Sequence, residues 1–420
     1  MALDIAIWIM YFVAIYFAVH WLLVVLERGI SDFEPKAGKW PSATIVMPMW
    51  NEERSAVETL QSLVNLDYPR EKLQIILVDD GCTDNTHAIV NNYLKMNEKN
   101  LKGLDIQYIK HLHNQGKGAS LNTGLQHAKG ELFICMDADS FVEPQALKKI
   151  APYFEEEAVA SVLPVIKLKK VHGFVLSLQY VEYLVNFFLK KVMSSLDCVH
   201  VTPGPFGVYR KKALQDAKGF DTNNLTEDLE MALRLQKNNY KIIQLMGVKV
   251  WTLAPESIKG WFKQRNRWYK GTLLNLYAYK SMFFKKRYGE FGLFQLPMVL
   301  GAALLSLFFA FFIIWQKMLN PLLVKIYNLS FINFDVGLMT NVWWERFSFL
   351  DLSYMLLFFT LLVFAFGVLW ICYAFKYTEE RFTKKGFVSS ATFMVIYPFF
   401  LSMVWLGVIF DLMRNKRQKW

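Results

Sequence analysis

Leu132-Phe133-Ile134-Cys135-Met136-Asp137-Ala138-Asp139 decides the fold. An apolar run stops abruptly at two acids, the pattern of a buried strand that ends where the chain meets water. In extended backbone alternate residues face the same side, so Asp137 and Asp139 point together. Two carboxylates so placed can approach one divalent cation, and oxygen ligands suit Mg²⁺ or Mn²⁺. Moving outward, residues 43–49 form another short apolar run that contains Pro48 and leads through Asn51-Glu52 into a helix predicted at about 52–65. Residues 74–78 read as a strand that stops at Asp79-Asp80-Gly81, residues 86–94 as a helix and residues 106–109 as a strand. Strands alternating with helices imply a mostly parallel sheet. Ligands of such sheets bind beyond the carboxyl ends of the strands, where both acidic clusters fall.

Other clusters carry chemistry of their own. A carboxylate of Asp79 or Asp80 can accept the imide N–H of a uracil and hold a ribose hydroxyl; an ordinary Asp-Gly turn would look the same. Lys117 stands between Gly116 and Gly118, where the backbone turns tightly and the ammonium can reach a phosphate. Thr226-Glu227-Asp228 opens a predicted helix at 226–237; Thr is a good N-cap, and acids favour the first turn. A carboxylate at such a tip is also placed to take a proton from an incoming hydroxyl. Residues 204–210, with Phe206, read either as a turn feeding a strand or as the lining of an acceptor path. Gln264-Arg265-Asn266-Arg267-Trp268 lies in a basic, aromatic segment, 256–286, suited to a helix in a membrane interface. On a helix Gln264, Arg267 and Trp268 share one face, able to clamp a diphosphate and stack on a sugar.

The composition places this chemistry at a membrane. Of 420 residues 54% are apolar and 16% aromatic, more than a soluble enzyme carries. The excess gathers in residues 5–26, 291–315, 352–375 and 388–410, each long enough to cross about 30 Å of hydrocarbon. The first run has no basic segment before it and is too long for a secretory signal, so it reads as a retained anchor. Pro398 interrupts the last, leaving it bent, re-entrant or split. Residues 320–344, of mixed polarity, read as an external loop or surface helix. The net charge of +11 gathers beside these runs, at Lys285-Lys286-Arg287, Lys384-Lys385 and Arg414, Lys416, Arg417 and Lys419. Anionic headgroups are the expected partners, and the positive-inside tendency puts residues 40–255 in the cytoplasm. No nucleic-acid recognition motif accompanies the charge. The four isolated cysteines form neither metal spacing nor a disulfide framework.

In order and spacing, Pro48…Asn51-Glu52, Asp79-Asp80-Gly81, Gly116-Lys117-Gly118, Asp137-Ala138-Asp139, Thr226-Glu227-Asp228 and Gln264…Arg267-Trp268 resemble the family-2 glycosyltransferases of the processive, membrane-embedded kind. Cellulose, chitin, hyaluronan and poly-N-acetylglucosamine synthases belong to that group. The resemblance implies an α/β GT-A-type domain, a Rossmann-like mixed sheet, at 40–255, between an anchor at 1–39 and interface helices at 256–290. A helical transmembrane region at 291–420 follows. It implies a UDP-sugar donor bound by Pro48, Asn51, Glu52, Asp79, Asp80, Lys117, Asp137 and Arg267, and a metal held by Asp137 and Asp139. It makes Asp228 the catalytic base, and puts Glu227, Gln264, Arg265, Trp268 and Phe206 at the diphosphate and acceptor. The acceptor is then a growing glycan, with a membrane lipid as the nearest alternative and a nucleotide-regulated transporter as a distant one.

Overall fold

A computed structural model describes residues 2–33, 35, 38, 40–331 and 353–414. Eight strands form one sheet: β1 (Ala43–Met49), β2 (Leu73–Asp79), β3 (Asp105–Lys110), β4 (Leu132–Cys135), β5 (Ser140–Val142), β6 (Val159–Leu168), β7 (Gly207–Arg210) and β8 (Lys241–Thr252). Their spatial order is β3-β2-β1-β4-β7-β6-β8-β5. The first four run parallel, as the alternation of strand and helix requires. Beyond β4 the sheet is mixed, as the GT-A-type resemblance implied: β6 and β8 pair parallel, but two short strands reverse. β7 is antiparallel to both β4 and β6, and β5 is antiparallel to β8. These reversing strands are three and four residues long, too short to show a period in sequence. The helix expected from residue 52 starts at Ala56, because Glu52 to Ser55 form a turn first.

Both faces of the sheet are covered. Ile45, Ile75 and Ile134 enter one apolar core, while their neighbours Val46, Ile76 and Phe133 enter the other. β6 is buried along its whole length, and its register slips beside Pro164, which has no N–H to give the ladder. The second core continues without a break into the apolar helices: Trp21, Phe291, Met298, Ile371 and Phe375 belong to it. The joint is a long helix, Gly173–Ser194, whose Phe188 packs on Trp370 at 5.0 Å and on Tyr377 at 5.6 Å.

Four helices are long and apolar enough to cross a membrane: 5–28, 291–312, 354–377 and 384–413. The first meets the second and third through Trp21 Nε1–H on Met298 Sδ (3.1 Å) and Tyr11 against Thr360 (2.6 Å). The second continues as helix to Phe331, so residues 320–331 are helical; 332–344 lie outside the described residues. The fourth, Lys384–Met413, is one unbroken helix with Pro398 inside it, which removes the split reading. Lys385 Nζ donates to Val171 O at 2.6 Å near its start. Near its end Gly407 lies so close to Phe262 and Asn266 that a Cβ would come within 2.7 Å of the Phe262 ring. The helix therefore touches the sheet domain at its start and the segment at 256–286 near its end.

Candidate active site at the sheet edge

The carboxyl ends of β1, β2 and β4 open into a cavity of about 690 Å³. Its floor is built by backbone-directed carboxylates. Asp80 accepts N–H bonds from Gln115 (3.0 Å) and Gly116 (2.8 Å) and from the His111 ring (2.7 Å). It thus fixes the turn in which Gly116 takes φ 92°, a conformation that favours glycine. Lys117 then begins the helix Lys117–His127 with its ammonium in the cavity. There it pairs with Asp137 and lies 3.6 Å from Glu227. Burial opposes its charge, but Asp137 and Glu227 outweigh burial and hold its proton more firmly than usual.

Asp137 and Asp139 flank a turn pinned by the Thr59 hydroxyl, which donates to Ala138 O at 2.8 Å. The Ser140 hydroxyl donates to Asp139 at 3.0 Å. Burial, then the charges of Asp137 and Glu52, push the Asp139 carboxyl up to about 7. Glu52 is likewise raised, by burial and by Asp137 and Asp84 against the lowering hydrogen bond of Ser55. Acids that converge and raise one another are short of positive charge. Among the described residues no cluster of three or more His, Cys, Asp or Glu side chains forms a closed metal cage. Two oxygen-donor carboxylates with the remaining positions left to substrate phosphates fit Mg²⁺ or Mn²⁺. Gly204 faces this pair: a Cβ there would collide with Lys117 Nζ and lie 2.8 Å from both Asp137 oxygens.

Opposite stand Glu227 and Asp228, at the start of the helix Glu227–Lys237. Glu227 is buried and its carboxyl raised by burial and by Asp228, against Lys117 and Arg267. Asp228 is half-buried and lines the cavity; its backbone carbonyl accepts the Thr202 hydroxyl at 2.7 Å. Thr226 does not cap this helix with its side chain. Its hydroxyl accepts from Asn275 Nδ2 at 3.0 Å, and Gly271 presses against it where no Cβ would fit. Those two residues belong to Ile258–Ala278, a helix capped by Ser257, whose hydroxyl accepts Gly260 N–H at 3.1 Å. It presents Gln264, Arg267 and Trp268 to the cavity, the shared face expected from their spacing.

The structure gives three residues other places than those inferred from sequence. Arg265 is fully buried beside that face, bidentate to Glu182 at 2.8 and 2.6 Å, with its guanidinium 4.2 Å from the Trp268 ring. It sits behind Trp268 instead of on substrate. Phe206 is fully buried in a sheet core, so it lines no acceptor path. Asp79 is fully buried too; it accepts Cys82 N–H and the Tyr108 hydroxyl, each at 2.8 Å. Burial works against its charge, and these bonds more than offset it, holding the carboxyl below its usual range. Asp79 therefore braces the loop that Asp80 completes. Asn51 staples the same rim, accepting Thr83 N–H at 2.9 Å, while Pro48 and Glu52 line the cavity. Sequence reasoning passed over Trp50, Lys190, His200, Tyr269 and Trp405, which also line it. Two lysines closing an apolar helix, Lys190-Lys191, were the available signal.

From Asp228 the cavity continues past Trp268 to Met298, Val299, Ala302, Ala303 and Ser306 of the second long apolar helix and Leu401 and Trp405 of the fourth. Sheet edge and apolar helices thus share one space.

Comparison with known proteins agrees with this architecture. Poly-beta-1,6-N-acetyl-D-glucosamine synthases of Staphylococcus epidermidis and Staphylococcus aureus are 28% identical over 230 and 231 residues, 54% of this chain and 54% of theirs. The chain thus spans about half the length of the curated relatives it matches. A mannosyltransferase from Pyrobaculum calidifontis, solved in complex with GDP-Man and Mn²⁺, superposes over 99% of both chains at TM-score 0.64 and 17% identity, a likeness of fold alone. The family model described as glycosyl transferase family 2 matches residues 44–217. The model described as glycosyl transferase family group 2 matches residues 132–406, well over half of the chain. The mixed sheet with acids at its edge is a GT-A fold, and the chain belongs to the family-2 glycosyltransferases.

Proposed function

We propose that the protein moves a sugar from a UDP-sugar to an acceptor hydroxyl reaching the site from the membrane side, with inversion, building a β-linked glycan. One observation carries this reading: a single cavity is lined by Lys117, Asp137, Asp139 and Asp228 and also by membrane-length helices. The fold neighbour with bound GDP-Man and Mn²⁺ supports a nucleotide-sugar donor and a divalent cation; the poly-N-acetylglucosamine synthases support a polymeric product. Asp137 and Asp139 would hold Mg²⁺ or Mn²⁺, whose chemistry is to neutralise the diphosphate. Arg267 and Lys117 add preorganised positive charge on the leaving-group side. Asp228 accepts the proton as the acceptor oxygen bonds to the anomeric carbon, and the bond to the diphosphate breaks with its electron pair on UDP. Trp268, backed by Arg265, offers a flat face for the acceptor.

Asp228→Asn keeps shape and removes the base. Transfer should fall by at least about a hundredfold while UDP affinity holds. Near-normal turnover in that variant would sink the assignment. Excess EDTA should stop transfer, and full activity in EDTA would remove the metal role of Asp137 and Asp139. A second reading, single addition to a lipid, is favoured by the apolar wall at Met298, Val299 and Leu401. Polymer or single adduct on a sizing gel separates the two. The domain spanning 40–255 is assigned to the cytoplasm, and the chain to a membrane that it crosses more than once.

A further inference from the structure

The walls that the second and fourth long apolar helices give the cavity are apolar apart from Ser306 and the Trp405 indole, and a small basic centre shares the space. Lys190, near the end of Gly173–Ser194, lines it with Nζ 4.6 Å from the Phe187 ring. Among the described residues it has no ion-pair partner, whereas its neighbour Lys191 is bound to Asp32 at 2.6 Å on the other side of the helix. His200 lines the same wall. The Gln295 amide hydrogen-bonds its Nδ1 at 3.1 Å, so Nε2 is the ring nitrogen left for a ligand. Burial and the nearby Lys190 charge lower this imidazole to about 4, which keeps the ring neutral. Burial lowers Lys190 itself to about 8, against the raising influence of Asp228, so it is charged at neutral pH. A cation and a polar ring nitrogen facing apolar walls are costly unless an anion joins them. Asp228 is near enough to feel Lys190, so the anion would sit within reach of the base.

We propose that Lys190 and His200 bind the phosphate of a lipid, whose alkyl chain lies against Met298, Val299, Ala302 and Ala303 and whose hydroxyl end reaches Asp228. This rests on the transferase reading above and narrows its acceptor, or the primer of its polymer, to a phosphate-bearing amphiphile. A neutral glycan channel would need hydrogen-bonding walls, and of the residues that the second and fourth long apolar helices give this cavity, Ser306 and the Trp405 indole are the polar ones.

The test is a titration of the full chain in maltoside detergent, followed by tryptophan fluorescence, since Trp268 and Trp405 line the cavity. Dodecyl phosphate should bind at least about tenfold more tightly than dodecanol, the scale of one charge-assisted hydrogen bond. Lys190→Met should erase that preference and Lys190→Arg should keep it, so a loss in the first is not a folding failure. His200→Gln, which retains a donor, should bind better than His200→Ala. Equal binding of dodecyl phosphate and dodecanol, or an undiminished preference in Lys190→Met, would overturn the proposal. Inorganic phosphate binding as well as dodecyl phosphate would overturn the lipid assignment in favour of a free-phosphate site. A parallel UDP titration with Mn²⁺ separates the two readings. UDP binding without dodecyl phosphate binding overturns the lipid site alone; binding of neither overturns the donor reading as well.

Discussion

Arg265 shows how a residue in the recognition motif can act without touching substrate. Its guanidinium and the Glu182 carboxylate neutralise each other in a fully buried pair. Breaking such a pair leaves one charge stranded, at a cost of about 3–5 kcal/mol. We expect Arg265→Met to lower thermal stability on that scale and to weaken acceptor use through Trp268, while Arg265→Met with Glu182→Met recovers most of the stability. Equal destabilisation in single and double variants, by calorimetry, would show that the pair is not the unit. Lys190 gives a second expectation. Its folded pKa of about 8 lies below the ordinary lysine value, so between about 8 and 10 the unfolded chain holds more protons. Stability from this residue therefore rises with pH across that window, and its cost is full below it. The melting temperature of wild type should climb toward that of Lys190→Met from pH 8 to pH 10, and parallel curves would refute it. At this scale the sequence made Asp80, Lys117, Asp137, Asp139, Asp228, Gln264, Arg267 and Trp268 legible, because strand ends and helical spacing put them on one surface. It could not separate Asp79 from Asp80, or Arg265 from Arg267. One residue along a strand, or two along a helix, reverses the direction of a side chain, and only the packed neighbours show which direction is buried.

At the scale of elements, the parallel half of the sheet and the apolar helices were readable, since each carries its own period or length. The antiparallel strands β5 and β7 were not, for they are held by partners distant in sequence. The interface helix Ile258–Ala278 was legible as amphipathic, but its seating was hidden. Gly271 lets it approach Thr226, and Asn275 bonds there and to Asn224 at 2.8 Å. We expect Gly271→Val to push the helix away from Glu227 and Asp228 and to reduce kcat more than UDP affinity; unchanged kcat would dismiss this contact as a positioning device. The helix Lys384–Met413 carries a topological expectation. Four simple crossings with the catalytic domain inside would send Arg414 outside, against the positive-inside tendency. Lys385 meets Val171 of the sheet domain and Gly407 meets Phe262 and Asn266 of the interface helix, so we expect the helix to lie along them without crossing. Single cysteines at 385 and 414, in a background lacking the native four, should react with an impermeant maleimide from the same side of sealed vesicles. Labelling from opposite sides would restore the fourth crossing.

On the scale of the whole molecule, the sheet core and the membrane-length helices form one body. The core runs from Val46 and Phe133 through Phe188 to Trp370-side contacts and on to Met298. Lys167 on β6 also ties the end of the third helix, with Nζ on Glu380 at 2.6 Å and on Thr378 O at 2.8 Å. A body so joined has little freedom to swing its active site away from the apolar helices, so we expect the acceptor to arrive through the shared cavity. Ala302 lines that route from the second long apolar helix, as Trp405 does from the fourth. Ala302→Trp would fill the chamber with an indole while leaving the sheet edge untouched. Transfer to membrane acceptors should fall at least about tenfold, because even a small misplacement of the reacting groups costs that much. UDP affinity, measured on the same preparation, should be unchanged, and Ala302→Ser, which adds one atom, should transfer normally. If Ala302→Trp transfers as wild type does, acceptors reach Asp228 from the aqueous side and the cavity's membrane half is only packing. If UDP affinity falls in step with transfer, the indole has disturbed the whole body, and the two ends of the cavity are mechanically one.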